Sequence, residues 1–408
     1  MNDEHLLLRP RLRVLTPLLA TALAVVGPVS ASAATPAPSA TTSDAPRLPL
    51  IPSSLDANDA ACTKASDTQV STVSWAQQSL GLAEANRYSQ GKGVQVAVVD
   101  TGVSPGAVGL SGRVRADGAA AKDCVGHGTF LAGVIGAAPV PGSGFAGVAP
   151  QARIIAERGT DQRGVPSAAL MAQGIEAAVD GGADVVLVSA ALPGDTSVLR
   201  TAVEHAVDED VLVVAPAAPD TAPASGSAQS APPPADYWPA ADDGVLSVVS
   251  LDIVGSRPQD VPQPLDADLA APGEAITGIG PAGHGNYVAN GSSVAAAFVA
   301  GTAALVRAYQ PGLTAAETAA RIRATAAHAP VPLLDPTAAL NTVLDSSVPS
   351  AAPVEGAIHL PGATPRSTVV PRAWTLAAAC LLLLLVAGGA MTLARVRAAR
   401  RAPGGGAA

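Results

Sequence analysis

Residues 93–102 read GVQVAVVDTG, a run of small and branched apolar side chains that does not alternate with polar ones and stops on Asp100. A strand that shows one face to water alternates, whereas a strand buried on both faces does not. Similar runs recur as ARIIAE (152–157), DVVLVS (184–189), VLVVA (211–215) and VLSVVS (245–250). Ala-rich stretches of helical character separate them. Strands alternating with helices predict an α/β fold in which a mostly parallel sheet lies between layers of helices. In such sheets ligands and reactive groups gather at the C-terminal ends of the strands, where Asp100 stands.

Two further stretches carry chemistry. DCVGHGTFLAGVIGA (123–137) sets His127 between glycines at the start of a helix. ANGSSVAAAFVAG (289–301) sets Ser293 at the start of an almost wholly apolar helix, which is expected to be central in the core. Alone, a strand-end Asp reads as a turn residue, a G-H-G as a loop and a G-S-S as a helix cap. Together they suit nucleophilic catalysis. A serine hydroxyl is a poor nucleophile until an imidazole takes its proton, and a buried carboxylate fixes that imidazole's tautomer. The Ser293 N–H, at a helix N-terminus, can also donate to a developing oxyanion.

The net charge of −9 supplies no basic stripe, so nucleic acid is not an expected partner. Arginines 9, 11 and 13 precede the apolar VLTPLLATALAVV, and ASA at 31–33 fits a small-residue cleavage site, so residues 1–33 read as a signal peptide. An uncleaved anchor is the alternative. Residues 34–87 are expected to be an N-terminal extension, disordered over the Pro/Ala/Ser/Thr-rich start at 34–57, that wraps the catalytic domain. That domain is expected over 88–345, with TAAE (314–317) opening one of its last helices as a capping box. A Pro-rich linker (346–372), a transmembrane helix (373–395) and a cytoplasmic tail (396–408) complete the chain. The uncharged stretch 374–394 is about 31 Å long as a helix, enough to span the bilayer core. Arg395, Arg397, Arg400 and Arg401 behind it place the tail inside and the rest outside, as a single-pass type I protein of the cell membrane.

Outside the cell thiols can oxidise. Cys380 lies in the expected span, so Cys62 and Cys124 either pair or stay free. GSGFAG (142–147) has dinucleotide-loop spacing but precedes a strand, and the histidines show no zinc spacing. No cofactor and no metal are expected. NGS (290–292) fits a glycosylation acceptor but lies inside the turn that carries Ser293. No G-x-S-x-G elbow supports an esterase.

VAVVDTGV, GHGTFLAGVIGA, GFAGVAPQARI, LAAPGEAI and NGSSVAAAFVAGTAALV resemble, in order, the blocks of the subtilisin-like serine proteases (subtilases, peptidase S8), over about residues 75–341. DCVGHGT, SWAQQSL with its upstream cysteine, LLDPTAAL and the C-terminal span resemble the mycosin group of type VII secretion systems. The resemblance implies Asp100, His127 and Ser293 as orienter, general base and nucleophile, and a Cys62–Cys124 disulfide. It implies a membrane-anchored, extracytoplasmic serine endopeptidase whose partners are a peptide or protein substrate, the membrane and type VII secretion subunits. The alternative is a feeble or inactive structural component of the secretion complex. Departures from the family pattern are Ser292 for Thr, Ala297 for Pro, Leu187 for an Asn beside the substrate edge, and Pro219 for the oxyanion-hole Asn. Proline has no side-chain donor, so Pro219 predicts a weakened hole, in which Asp220, one residue on, could serve only if protonated.

Overall fold

The computed structural model describes residues 47–56, 61–221, 235–258 and 261–344, with Met391 and Arg397 beyond them. Seven strands form one sheet in the order β2-β3-β1-β4-β5-β6-β7, every pair parallel. They are β1 (Gln95–Asp100), β2 (Val114–Ala116), β3 (Arg153–Arg158), β4 (Val185–Val188), β5 (Leu212–Pro216), β6 (Leu246–Leu251) and β7 (Leu269–Pro272). A second sheet pairs β8 (Ile276–Gly278) with β9 (Tyr287–Ala289), antiparallel. The helices are α1 (Trp75–Ser79), α2 (Leu82–Tyr88), α3 (His127–Gly136), α4 (Ala168–Asp180), α5 (Ser197–Asp208), α6 (Ser292–Tyr309), α7 (Ala315–Thr325) and α8 (Pro336–Asn341).

The unbroken apolar runs follow from two cores. Val96 and Val98 of β1, Leu187 of β4 and Val214 of β5 point to the face covered by α3 and α6. Their neighbours Ala97, Val99, Val186, Val188 and Val213 point to the face covered by α4 and α5. Successive side chains on a strand face opposite ways, so a sheet covered on both faces has no polar side to show. Leu187 is fully buried in the first of these cores. It packs away from the substrate edge on which the sequence placed it, and Ser189, Ala190 and Ala191 line the cleft in its stead.

Among the described residues one helix is long and apolar enough to cross a membrane, α6, and 83% of it is buried in the protein. Its composition is that of a central core helix, as expected. α7 opens on the capping box, Thr314 and Glu317 each closing on the other's backbone N–H. The expected span at 373–395 and the signal peptide at 1–33 lie outside the described residues, Met391 excepted.

The N-terminal extension is more ordered than its composition suggests. Over residues 47–56 the chain runs beside β9, with the Ile51 N–H donating to the Val288 carbonyl (2.8 Å) and the Val288 N–H to that of Pro49 (3.0 Å). Ile51 is buried. The leader expected over 34–57 is therefore corrected at its end: the Leu-Pro-Leu-Ile at 48–51 interrupts the Pro/Ser/Thr run and supplies a side chain worth burying. Further on, Ser66 donates to the Asn286 carbonyl (2.9 Å) and its N–H to the Tyr287 hydroxyl (2.8 Å). Cys62 and Cys124 form a disulfide.

Candidate active site

β1 delivers Asp100 to its C-terminal end, α3 begins at His127 and α6 begins one residue before Ser293. Three remote stretches thereby meet. His127 Nδ1 lies 2.7 Å from Asp100 Oδ2, and His127 Nε2 lies 3.1 Å from Ser293 Oγ. All three residues are buried. The spacing suits a relay in which Ser293 gives its proton to His127 while Asp100 holds the ring. Close approach requires glycine here, since a Cβ at Gly128 would lie 2.1 Å from the Gly102 carbonyl oxygen.

Burial alone would raise the Asp100 carboxyl. The charge and hydrogen bond of His127, with bonds from Ser189 and the Thr101 N–H, outweigh it and hold the carboxyl below its ordinary value. Burial likewise disfavours the His127 imidazolium. The charges and hydrogen bonds of Asp100 and then Asp220 overcome it, and hold the imidazole well above its ordinary value.

Asp123, quoted in the sequence but given no role there, organises the start of α3. One of its oxygens accepts from the Gly126 N–H (2.7 Å) and the Thr101 hydroxyl (2.9 Å), the other from the Thr129 N–H (2.8 Å) and hydroxyl (2.6 Å). Thr101 in turn accepts from the Gly128 N–H (2.9 Å). This network ties the turn after β1 to the helix that carries His127. The sequence did hold the signal, an Asp ahead of a helix start with Thr129 inside the first turn. Burial pushes the Asp123 carboxyl up, against the lowering effect of its bonds to Thr129 and Gly126.

The expectation at Pro219 is corrected by one residue. Pro219 borders the cleft, but the side chain that reaches Ser293 is that of Asp220. The Ser293 N–H donates to Asp220 Oδ1 (2.9 Å) and the Ser293 hydroxyl to Asp220 Oδ2 (2.6 Å). Asp220 Oδ2 also stands 3.5 Å from His127 Nε2. With β5 ending at Pro216, Ala217 and Ala218 stay buried and the turn brings Asp220 back over α6. Prolines at 216 and 219 leave no apolar period by which to count through this turn, hence the slip. Ser292, in place of the usual Thr, accepts from the Ser250 N–H (3.3 Å). Ala297 is buried within α6. Among the described residues no cluster of His, Cys, Asp and Glu could hold a metal.

The chain matches the Subtilase family over residues 91–349. Mycosin-4 of Mycobacterium tuberculosis is 33% identical over 315 residues, covering 66% of this chain and 68% of the relative. Subtilisin E of Bacillus subtilis is 32% identical over 244 residues, covering 58% of this chain and 61% of the relative. Among solved structures, MycP1 with its N-terminal propeptide removed has a TM-score of 0.58 at 32% identity, over 66% of this chain and 97% of that one. A chain of an intact ESX-5 inner membrane complex has a TM-score of 0.62 at 26% identity, over 83% of this chain and 94% of that one.

Proposed function

Since the chain belongs to the subtilase family of serine endopeptidases, we propose that Ser293 is its nucleophile, His127 the general base and Asp100 the residue that orients His127. The observation that carries this reading is the unbroken line from Asp100 Oδ2 through His127 to Ser293 Oγ, with steps of 2.7 and 3.1 Å. The enzyme works outside the membrane, held by the span at 373–395 with the linker at 346–372 as its tether, and acts on a peptide or exported protein. Its partners are type VII secretion subunits, by likeness to mycosins and to the ESX-5 assembly. The oxyanion hole is weak because Asp220, a carboxylate, stands where an amide donor serves other subtilases.

A second reading is favoured by that same carboxylate. With Ser293 engaged by Asp220, the chain serves chiefly as a structural part of the secretion complex. Complementation separates the two. In cells lacking the chain, the protease reading expects Ser293→Ala to leave an exported substrate uncleaved. If Ser293→Ala restores both processing and secretion, while deletion abolishes secretion, the structural reading replaces it.

A further inference from the structure

A serine hydroxyl has one proton to give. That of Ser293 goes to Asp220 Oδ2 at 2.6 Å, nearer than His127 Nε2 at 3.1 Å. The Ser293 N–H, which would hold the oxyanion of the transition state, holds Asp220 Oδ1 at 2.9 Å. Both groups that a scissile carbonyl must meet are thus occupied by one carboxylate, whose side chain is 8% exposed. The turn is shaped to admit it: Gly291 has φ +134°, and a Cβ there would lie 2.2 Å from Asp220 Cγ. The charged groups around the pair come from three stretches of chain, and the serine from a fourth. Asp100 of β1 faces His127 from the far side, and Asp123 before α3 is bound to Thr101, Gly126 and Thr129. Ser293 comes from α6, and Glu274, after β7, lines the cavity next to Asp220.

We propose that Asp220 is a catalytic residue of this site: ionised, it fills the oxyanion hole and shuts Ser293 off from substrate, and protonated, it becomes the hole's second donor. The proposal rests on the endopeptidase reading and deepens it. In the productive complex Ser293 Oγ bonds to the carbonyl carbon, its proton passes to neutral His127 Nε2, and the carbonyl π pair becomes a lone pair on oxygen. That oxyanion takes the place of Asp220 Oδ1 on the Ser293 N–H and accepts a hydrogen bond from the Asp220 O–H. A neutral carboxylic acid donating to an oxyanion is established chemistry elsewhere.

The working state carries one proton on the His127–Asp220 pair, located on Asp220. The resting state carries the same proton on His127, between the carboxylates of Asp100 and Asp220. Proton count therefore sets the pH profile. Adding a second proton removes the base, and removing the only one removes the donor and restores the plug. Activity is bell-shaped, with its alkaline limb at the raised titration of His127. A triad with an amide in the hole instead rises through the histidine's titration and stays up at alkaline pH.

The test is the rate at which a fluorophosphonate phosphonylates Ser293 in the detergent-solubilised full chain, followed across pH. Wild type should show the alkaline limb. Asp220→Asn, close to isosteric, should lose it and label faster at alkaline pH, by about 10²–10³-fold, the effect of one such donor in a subtilisin. Asp220→Ala unplugs the hole without supplying a donor and should lose the limb with a smaller gain. Labelling with one profile in all three overturns the role of Asp220 and leaves the protease reading standing. No labelling in any of them overturns both.

Discussion

At Ser293, His127 Nε2 and Asp220 Oδ2 stand 3.1 and 2.6 Å from the same hydroxyl. Within the triad, Asp100→Asn keeps the shape and loses the charge that orients His127. Hydrolysis should fall by about 10⁴-fold, as when this partner is neutralised in other serine proteases, measured as kcat on any peptide the enzyme cleaves. The raised His127 imidazole also links stability to pH. Because its folded value lies above its unfolded one, its contribution is complete below the unfolded value and disappears as pH rises through the folded one. Asp100, held low, contributes above its ordinary value and loses this as pH falls through its folded one. The Tm advantage of wild type over His127→Gln should accordingly shrink toward alkaline pH. A gap that widens there would mean His127 is neutral at rest. Of the residues in this site, the sequence disclosed those sitting in recognisable blocks. Asp220 stood beside the departure at Pro219 as a donor only if protonated, and that it reaches Ser293 depends on how a proline-rich turn folds back over α6.

The elements that carry the site differ in how openly the sequence announces them. β1, β3, β4, β5 and β6 were legible because two-sided burial demands continuous apolar runs, and α6 because burial on all sides demands the same of a helix. β2, three residues with no fully buried position, has no pattern to read. β7 is short and ends on Pro272. Its sequence resembled a family block without declaring itself a strand. The start of α3 was placed, but the carboxylate that fastens it was not. Asp123→Ala should leave the backbone N–H groups of Gly126 and Thr129 without partners, at a cost of about 1–3 kcal/mol, seen as a lower denaturation midpoint. It should also slow Ser293 labelling by loosening His127. Phe298→Ala, inside α6 and 2% exposed, should cost about 3–5 kcal/mol through the cavity it leaves. Retained stability in that variant would mean α6 is not the centre of the core.

For the molecule as a whole, the Cys62–Cys124 bond fastens the extension beside α3 across a sequence separation of 62. Closing a loop of that size is worth about 4 kcal/mol in the chain-entropy view. Cys62→Ser should lower thermal stability accordingly, and peptide mapping without reductant should find the two cysteines linked in wild type. The positive charges after residue 394 lead to another expectation: protease shaving of intact cells should remove epitopes before Trp374 and spare one placed after Arg401. Most direct is cleavage itself. The detergent-solubilised full chain is incubated with a proteome-derived peptide library, and new peptide termini are read by mass spectrometry. A subtilase worked by Ser293 yields such termini with wild type, more of them with Asp220→Asn, and none with Ser293→Ala. The same termini from Ser293→Ala, or none even from Asp220→Asn, would contradict it.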